Sequence, residues 1–138
     1  MKPLYTATVT ASGGRDGKIV AAEPALSLPL STPKAMGGPG GEATNPEQLF
    51  AAGYSACFLS ALKLVARMQK TPVDDATITA HVTLGKSDAS AYILAVKLVG
   101  HLPGKSREEA QALLAAAHQV CPYSNATRGN IAVELVAE

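Results

Sequence analysis

Two thiols, Cys57 and Cys121, are the only cysteines in this sequence, and reversible electron exchange in a protein without a cofactor falls first to such side chains. They lie far apart and belong to no Cys-x-x-Cys, so neither a thioredoxin-type dithiol nor a zinc knuckle is indicated. The three histidines, His81, His101 and His118, show no metal-ligand spacing among themselves. His118 precedes Cys121 by three residues, and an ordinary histidine at a helix end is the simpler reading of it. Gly37 to Gly41 lacks the Lys and the strand-to-helix setting of a phosphate-binding loop. No metal and no cofactor is expected.

Free cysteine is among the most buried residue types, so both thiols can be read as small packing groups. Both also fall on apolar helical faces able to meet, which leaves a disulfide open geometrically. Gly53 followed by Ser55 predicts a stop and restart of the helix, which would place Cys57 in a first turn. There the macrodipole and the free N–H groups favour a thiolate and lower its pKa. Arg15 in a glycine-rich turn and Glu47 in a helix first turn are the charged candidates to join it. Their plain alternatives are a solvated turn arginine and a helix-end carboxylate. About ten residues of unbroken helix between Glu47 and Cys57 would add about 15 Å of rise, which keeps Glu47 from touching Cys57 and leaves the long Arg15 side chain to bridge part of the distance. A break at Gly53, the favoured reading, would instead let all three converge.

The elements that must position these groups are legible in the pattern. Alternation predicts strands over 5–9, 18–22 and 26–30, with a turn at Ser12 to Gly17 and a Pro/Gly-rich loop over 31–44. Asn45 as cap, Pro46 in first position and Gln48 three residues past the cap open a helix that runs to about Gln69. Thr77 to Leu84 and Tyr92 to His101 read as strands, joined by the polar turn Gly85 to Ser90. Ser106 to Glu109 is a capping box, and Ala110, Leu113, Leu114, Ala117, Val120 and Cys121 form the stripe of a second helix. Pro122 ends it, a compact turn follows to Asn130, and Ile131 to Val136 closes the chain as a strand. The order is α+β: two small antiparallel sheets packed around long buried helices, in a single domain over 1–138.

Apolar residues are 47% of the chain and the net charge is +1, with no basic run, which argues against nucleic acid or an anionic membrane surface as partner. The N-terminus has no signal core and no span free of charge has membrane length, so the cytoplasm is the expected compartment. In the cytosol a structural disulfide is disfavoured, and the cysteines are packing residues or a redox pair. The first helix is apolar on nearly every side, and about 25 residues span about 37 Å. A chain this small covers that length more readily as a dimer.

The segment Ala43 to Phe58, with its Asn45-Pro46-Glu47-Gln48-Leu49-Phe50 run leading to Cys57, closely resembles the first cysteine motif of the organic hydroperoxide resistance proteins of the OsmC-like superfamily. Ala116 to Asn130, around Cys121-Pro122-Tyr123-Ser124-Asn125, resembles the second. Leu4 to Thr8 and Gly13 to Gly17 match as well, so the resemblance covers essentially the whole chain, while Ser87 to Ala91 departs from the family pattern. It implies an OsmC-like fold in an intertwined homodimer and a thiol-dependent peroxidase for organic hydroperoxides. Cys57 would be the peroxidatic and Cys121 the resolving cysteine. Arg15 would hold the thiolate and orient the peroxide, with Glu47 as its carboxylate partner. Phe50, Phe58 and Leu59 would give an apolar pocket preferring alkyl and fatty-acid hydroperoxides. The reductant implied is dihydrolipoamide or a lipoylated protein. The alternative is a non-catalytic redox-sensing dimer, which lacks any recognisable output element in this sequence. Glycines beside Arg15 permit its loop to swing during a cycle.

Overall fold

Alternation around Ile19 and Leu28, and the long apolar stripe after Pro46, each become regular structure in the computed structural model, which describes residues 1–23 and 25–138. Among the described residues the strands are β1 (Val9–Ser12), β2 (Lys18–Ala21), β3 (Ser27–Pro29), β4 (Thr77–Lys86), β5 (Tyr92–His101) and β6 (Val133–Ala137). The helices are α1 (Pro46–Met68), α2 (Arg107–Val120) and α3 (Pro122–Thr127), with single 3-10 turns at Gly14–Asp16 and Lys34–Met36. Contacts divide the chain into two compact units, Met1–Leu49 and Phe50–Glu138, with the boundary inside α1.

The first unit is an antiparallel meander, β1-β2-β3, with Val9 opposite Ala21 and Lys18 opposite Pro29. Pairing starts at Val9 and not at Tyr5 as the alternation suggested. β2 ends at Ala21 and the Ala22 N–H reaches the Thr8 carbonyl at 2.9 Å; the chain bends at Ala22 and Glu23, and among the described residues no strand pairs with 5–7. β3 is likewise shorter than expected, and Leu30 leaves it to bridge Thr44 in parallel. The glycine-rich loop between them is ordered by its own bonds, among them Ser31 Oγ to the Gly40 carbonyl at 2.7 Å.

The second unit carries the main core. β4 and β5 form a long antiparallel ladder from Thr77 opposite His101 to Lys86 opposite Tyr92. β6 pairs with β5 in parallel, Val96 opposite Val133, so this sheet is mixed where antiparallel pairing was expected throughout. The reason is the connection: α2 and α3 intervene between β5 and β6, and a helical crossover returns the chain in the same direction. Gly100 marks where α2 presses on the sheet, since a Cβ there would lie 2.7 Å from Leu114 Cδ2. Tyr54, Phe58, Ala61, Leu62, Val65 and Ala66 form the buried face of α1, at helical spacing. They meet Leu98 of β5 and Leu113, Leu114 and Ala117 of α2 in one apolar cluster. α1 is long and apolar enough to cross a membrane by length and composition, with a mean hydropathy of 1.6 over its best window, but this stripe makes it the helix of the core.

Two local outcomes differ from expectation. Residues after Pro122 form a short helix and not a turn. Pro122 stops α2 because it disfavours helical backbone at Cys121 (φ −65°, ψ 124°) and then serves as the first residue of α3. The second difference is larger. α1 continues unbroken past Gly53. Gly53 is required for another reason: a Cβ there would stand 2.6 Å from the Tyr123 hydroxyl oxygen. The glycine admits a close neighbour and leaves the helical bonding intact.

Candidate active site

Asn45 starts α1 as the sequence predicts, its Oδ1 accepting the Gln48 N–H at 2.9 Å. Gln48 does not bond back to the cap; its Oε1 accepts from Thr44 Oγ1 at 2.9 Å. Glu47, in the first turn, is therefore held on a well-formed helix start. Arg15 lies in the 3-10 turn between Gly13 and Gly17, and Gly13 takes φ 74°, a left-handed conformation that suits glycine. Asp16 fastens that turn to the following loop, accepting from Thr32 N–H at 2.8 Å and Thr32 Oγ1 at 3.0 Å. Arg15 Nη1 then donates to Glu47 Oε2 at 2.9 Å and Nη2 to Oε1 at 2.6 Å, a fork-to-fork pair. Among the described residues it is the only ion pair, although the chain has 12 basic and 11 acidic side chains. The Arg15 guanidinium holds the Glu47 carboxyl below the usual carboxylate range, and Glu47 in turn raises Arg15.

In the second unit α1 presents Cys57 half-buried, and the joint between α2 and α3 presents Cys121 fully buried. Both are free thiols, and Cys121 Sγ approaches Cys57 Sγ at 3.7 Å. That is van der Waals contact. A disulfide needs about 2.05 Å, so the two thiols are in contact without being bonded. The thiol of Cys57 does not have the lowered pKa that the broken helix predicted. Burial pushes it up, the Tyr123 backbone amide draws it down, and the neighbouring Cys121 thiol pushes it up again. Because α1 is continuous, Cys57 lies mid-helix, where the backbone N–H groups are already spent on helical bonds.

A cavity of about 620 Å³ opens between α3 and the start of β5, with Phe50, Pro122, Tyr123, Tyr92, Ile93 and Ile131 among its walls and neither cysteine among them. Of the three apolar residues picked out from the sequence, Phe50 lines it. Phe58 is fully buried in the core and Leu59 packs against that core. His118 faces inward near the end of α2: its Nδ1 is buried without a hydrogen-bond partner, and burial followed by Arg128 lowers its pKa. His81 and His101 are exposed on strands. Among the described residues, no group of three His, Cys, Asp or Glu side chains is placed to hold a metal ion.

Pattern reading passed over four residues around the thiols. Tyr123 fills the space above Gly53 and stacks with Tyr54 (centroids 5.5 Å apart) and edge-on with Phe50 (6.0 Å). Tyr54 in the core shares hydrogen bonds with Ser124 Oγ at 2.9 Å and Thr127 Oγ1 at 3.2 Å. A signal existed. Tyr54 precedes Cys57 by three residues and Ser124 follows Cys121 by three, so antiparallel contact of the segments pairs both at once.

A family model described as OsmC-like protein matches residues 38–136 of this chain. The sequence is 51% identical to the organic hydroperoxide resistance protein of Xanthomonas axonopodis pv. citri (strain 306), over 97% of this chain and 94% of that one. It is 50% identical to the organic hydroperoxide resistance protein OhrA of Bacillus subtilis (strain 168), over 99% of each chain. A crystal structure of an organic hydroperoxide resistance protein from Legionella pneumophila superimposes with a TM-score of 0.93 at 48% identity, covering 99% of both chains.

Proposed function

Because this chain belongs to the OsmC-like protein family and has organic hydroperoxide resistance proteins as close relatives, we propose that it is a thiol-dependent peroxidase that reduces organic hydroperoxides to alcohols. The observation that carries the reading is the approach of two free thiols, Cys57 Sγ and Cys121 Sγ, to 3.7 Å, from segments far apart in the sequence. As the thiolate, Cys57 attacks the terminal oxygen of ROOH. The O–O bond breaks, the alkoxide leaves and takes a proton as ROH, and Cys57 becomes a sulfenic acid. Cys121 then attacks the Cys57 sulfur; its proton leaves with the hydroxide as water, and the disulfide forms. A dithiol of the lipoyl type restores both thiols by exchange.

Arg15 supplies the positive charge for the thiolate and the developing alkoxide, and Glu47 holds its guanidinium plane. What supports this part is the two-point fork between them, which fixes the guanidinium's orientation at its own end. The apolar cavity with Phe50 and Tyr123 in its wall supports a preference for alkyl and fatty-acid hydroperoxides over hydrogen peroxide. The working unit is a homodimer, in keeping with Leu64 and Met68, which α1 leaves exposed on a single chain.

Steady-state consumption of tert-butyl hydroperoxide with dihydrolipoamide tests the reading. Wild type cycles, Cys57→Ser loses all turnover, and Cys121→Ser reacts once and stalls. Full activity in Cys57→Ser would overturn it, and one oxidation of wild type without cycling would fit a redox-sensing dimer instead.

A further inference from the structure

α3 is six residues long, too short to hold its shape without tertiary support, and Cys121 caps it without a side-chain hydrogen bond. Its buried residues are Ser124 and Thr127, both polar, one turn apart and facing the core. Apolar side chains at these positions would pack against Phe50 and Tyr54 at no polar cost. Instead both hydroxyls converge on one atom, the Tyr54 hydroxyl oxygen, at 2.9 and 3.2 Å. Thr127 Oγ1 also donates to the Ser124 carbonyl at 3.2 Å. With that proton committed, one arrangement satisfies every hydroxyl: Tyr54 donates to Thr127 and Ser124 donates to Tyr54. A closed set of buried bonds adds little net stability, but it is directional and specifies one register where greasy contact tolerates several.

The register matters because of what lies one turn away. Cys57 follows Tyr54 by three residues on the same side of α1, and Cys121 precedes Ser124 by three on the returning segment. The hydroxyl contact and the thiol contact are neighbouring rungs of one antiparallel crossing. The geometry points to Tyr54, with Ser124 and Thr127, as a latch that positions Cys121 for closure onto Cys57, so that the latch governs disulfide formation and not attack on the peroxide. This rests on the peroxidase reading for its place in the cycle. Closure itself forms the S–S bond as the Cys57 S–O bond breaks, with the Cys121 proton leaving in water. When closure lags, a second hydroperoxide oxidises the sulfenic acid to sulfinic acid, which dithiols do not reverse.

Tyr54→Phe removes the central oxygen and keeps the ring. With tert-butyl hydroperoxide, loss of the Cys57 thiol should stay within about twofold of wild type, while disulfide formation slows about tenfold to a hundredfold, the penalty of a small misplacement. Mass spectrometry should show sulfinic acid at Cys57 accumulating with each turnover. Thr127→Val should slow closure and Thr127→Ser should restore it. Leu114→Ala, which destabilises the core without touching a hydroxyl, should close at the wild-type rate. Unchanged closure in Tyr54→Phe overturns the latch, and so does equal slowing in Leu114→Ala. If Tyr54→Phe does not fold, equal closure in Thr127→Val and Thr127→Ser overturns it. A parallel arm closes the pair with diamide, which takes both thiol hydrogens onto its azo nitrogens and needs no peroxide chemistry. Wild type closing with diamide but inert to tert-butyl hydroperoxide would sink the peroxidase reading alone; slower diamide closure in Tyr54→Phe would sustain the latch.

Discussion

The Arg15–Glu47 pair and the Cys57–Cys121 pair join residues distant in sequence by opposite means. The ion pair is made by charge: a guanidinium and a carboxylate, 35% and 15% exposed, matched fork to fork at the ends of a glycine turn and a helix start. The thiol pair is made by packing: two uncharged groups are brought into contact because α1 and α2 bury their apolar stripes in one core. Each method leaves its mark on the protonation of its members. Pairing holds Glu47 down, in its charged form. Burial holds Cys57 up, in its neutral form. A site assembled by packing therefore starts with the less reactive thiol, and any positive charge brought to it has something to correct.

The largest effect to look for is chemical. Cys57→Ser should abolish peroxide turnover while shifting the urea midpoint little, because a half-buried thiol and a hydroxyl differ by one atom. A loss of stability as severe as the loss of turnover would mean that this thiol is there for packing, and the contrast would fail. Next comes pH. An ordinary thiol of pKa about 8.5 is about 3% ionised at pH 7, and Cys57 should be less. Its iodoacetamide reaction should rise about tenfold per pH unit from pH 7 and keep rising beyond pH 8.5. A plateau near pH 7 would mean that the charge proposed for Arg15 already overrides burial in the resting protein, before peroxide arrives.

The two pairs should also lean on opposite ends of the pH scale. Glu47's folded pKa is depressed, so its contribution is present above the unfolded value of about 4.3 and lost as pH falls through the folded one. Cys57's folded pKa is raised, so its contribution is present below the unfolded value of about 8.5 and lost as pH rises through the folded one. Urea titrations should show Glu47→Gln costing about 1 kcal/mol at pH 7, with a shallower acid limb than wild type. An unchanged acid limb would mean the fork contributes nothing to stability. The smallest effect belongs to Gly53. Gly53→Ala gains helix propensity of about 1 kcal/mol but displaces the Tyr123 hydroxyl, so the net change should be near zero. In a Tyr123→Ala background the full gain of about 1 kcal/mol should appear, and its absence would break the account of why a glycine stands there.

Local signals carried a good part of the fold. The capping box at Ser106 forms both of its bonds, Tyr92–His101 is the strand its alternation predicts, and Pro122 ends α2 at Cys121. Where reading failed, a tertiary neighbour had overruled a local preference. Gly53 looked like a helix stop because glycine is a poor helix former, yet a tyrosine distant in sequence needed the space its side chain would fill. Tyr5 to Ala7 looked like strand, and among the described residues the β1–β2 ladder begins only at Val9 opposite Ala21. β6 looked like one more antiparallel strand, since alternation in one strand says nothing about direction.

By itself, then, the sequence determined the element order, the helix caps, the two thiols as the candidate redox groups and, through two long motifs, the family. These depend on residue type and on neighbours a few positions away, which the chain carries in every conformation. Only the tertiary structure decided that α1 runs unbroken through Gly53, that Cys57 is therefore raised by burial with no helix terminus to lower it, and that Tyr54 ties down the short helix after Cys121. Desolvation and hydrogen bonds across segments far apart in sequence come into being when the core closes, and no window along the chain contains both partners.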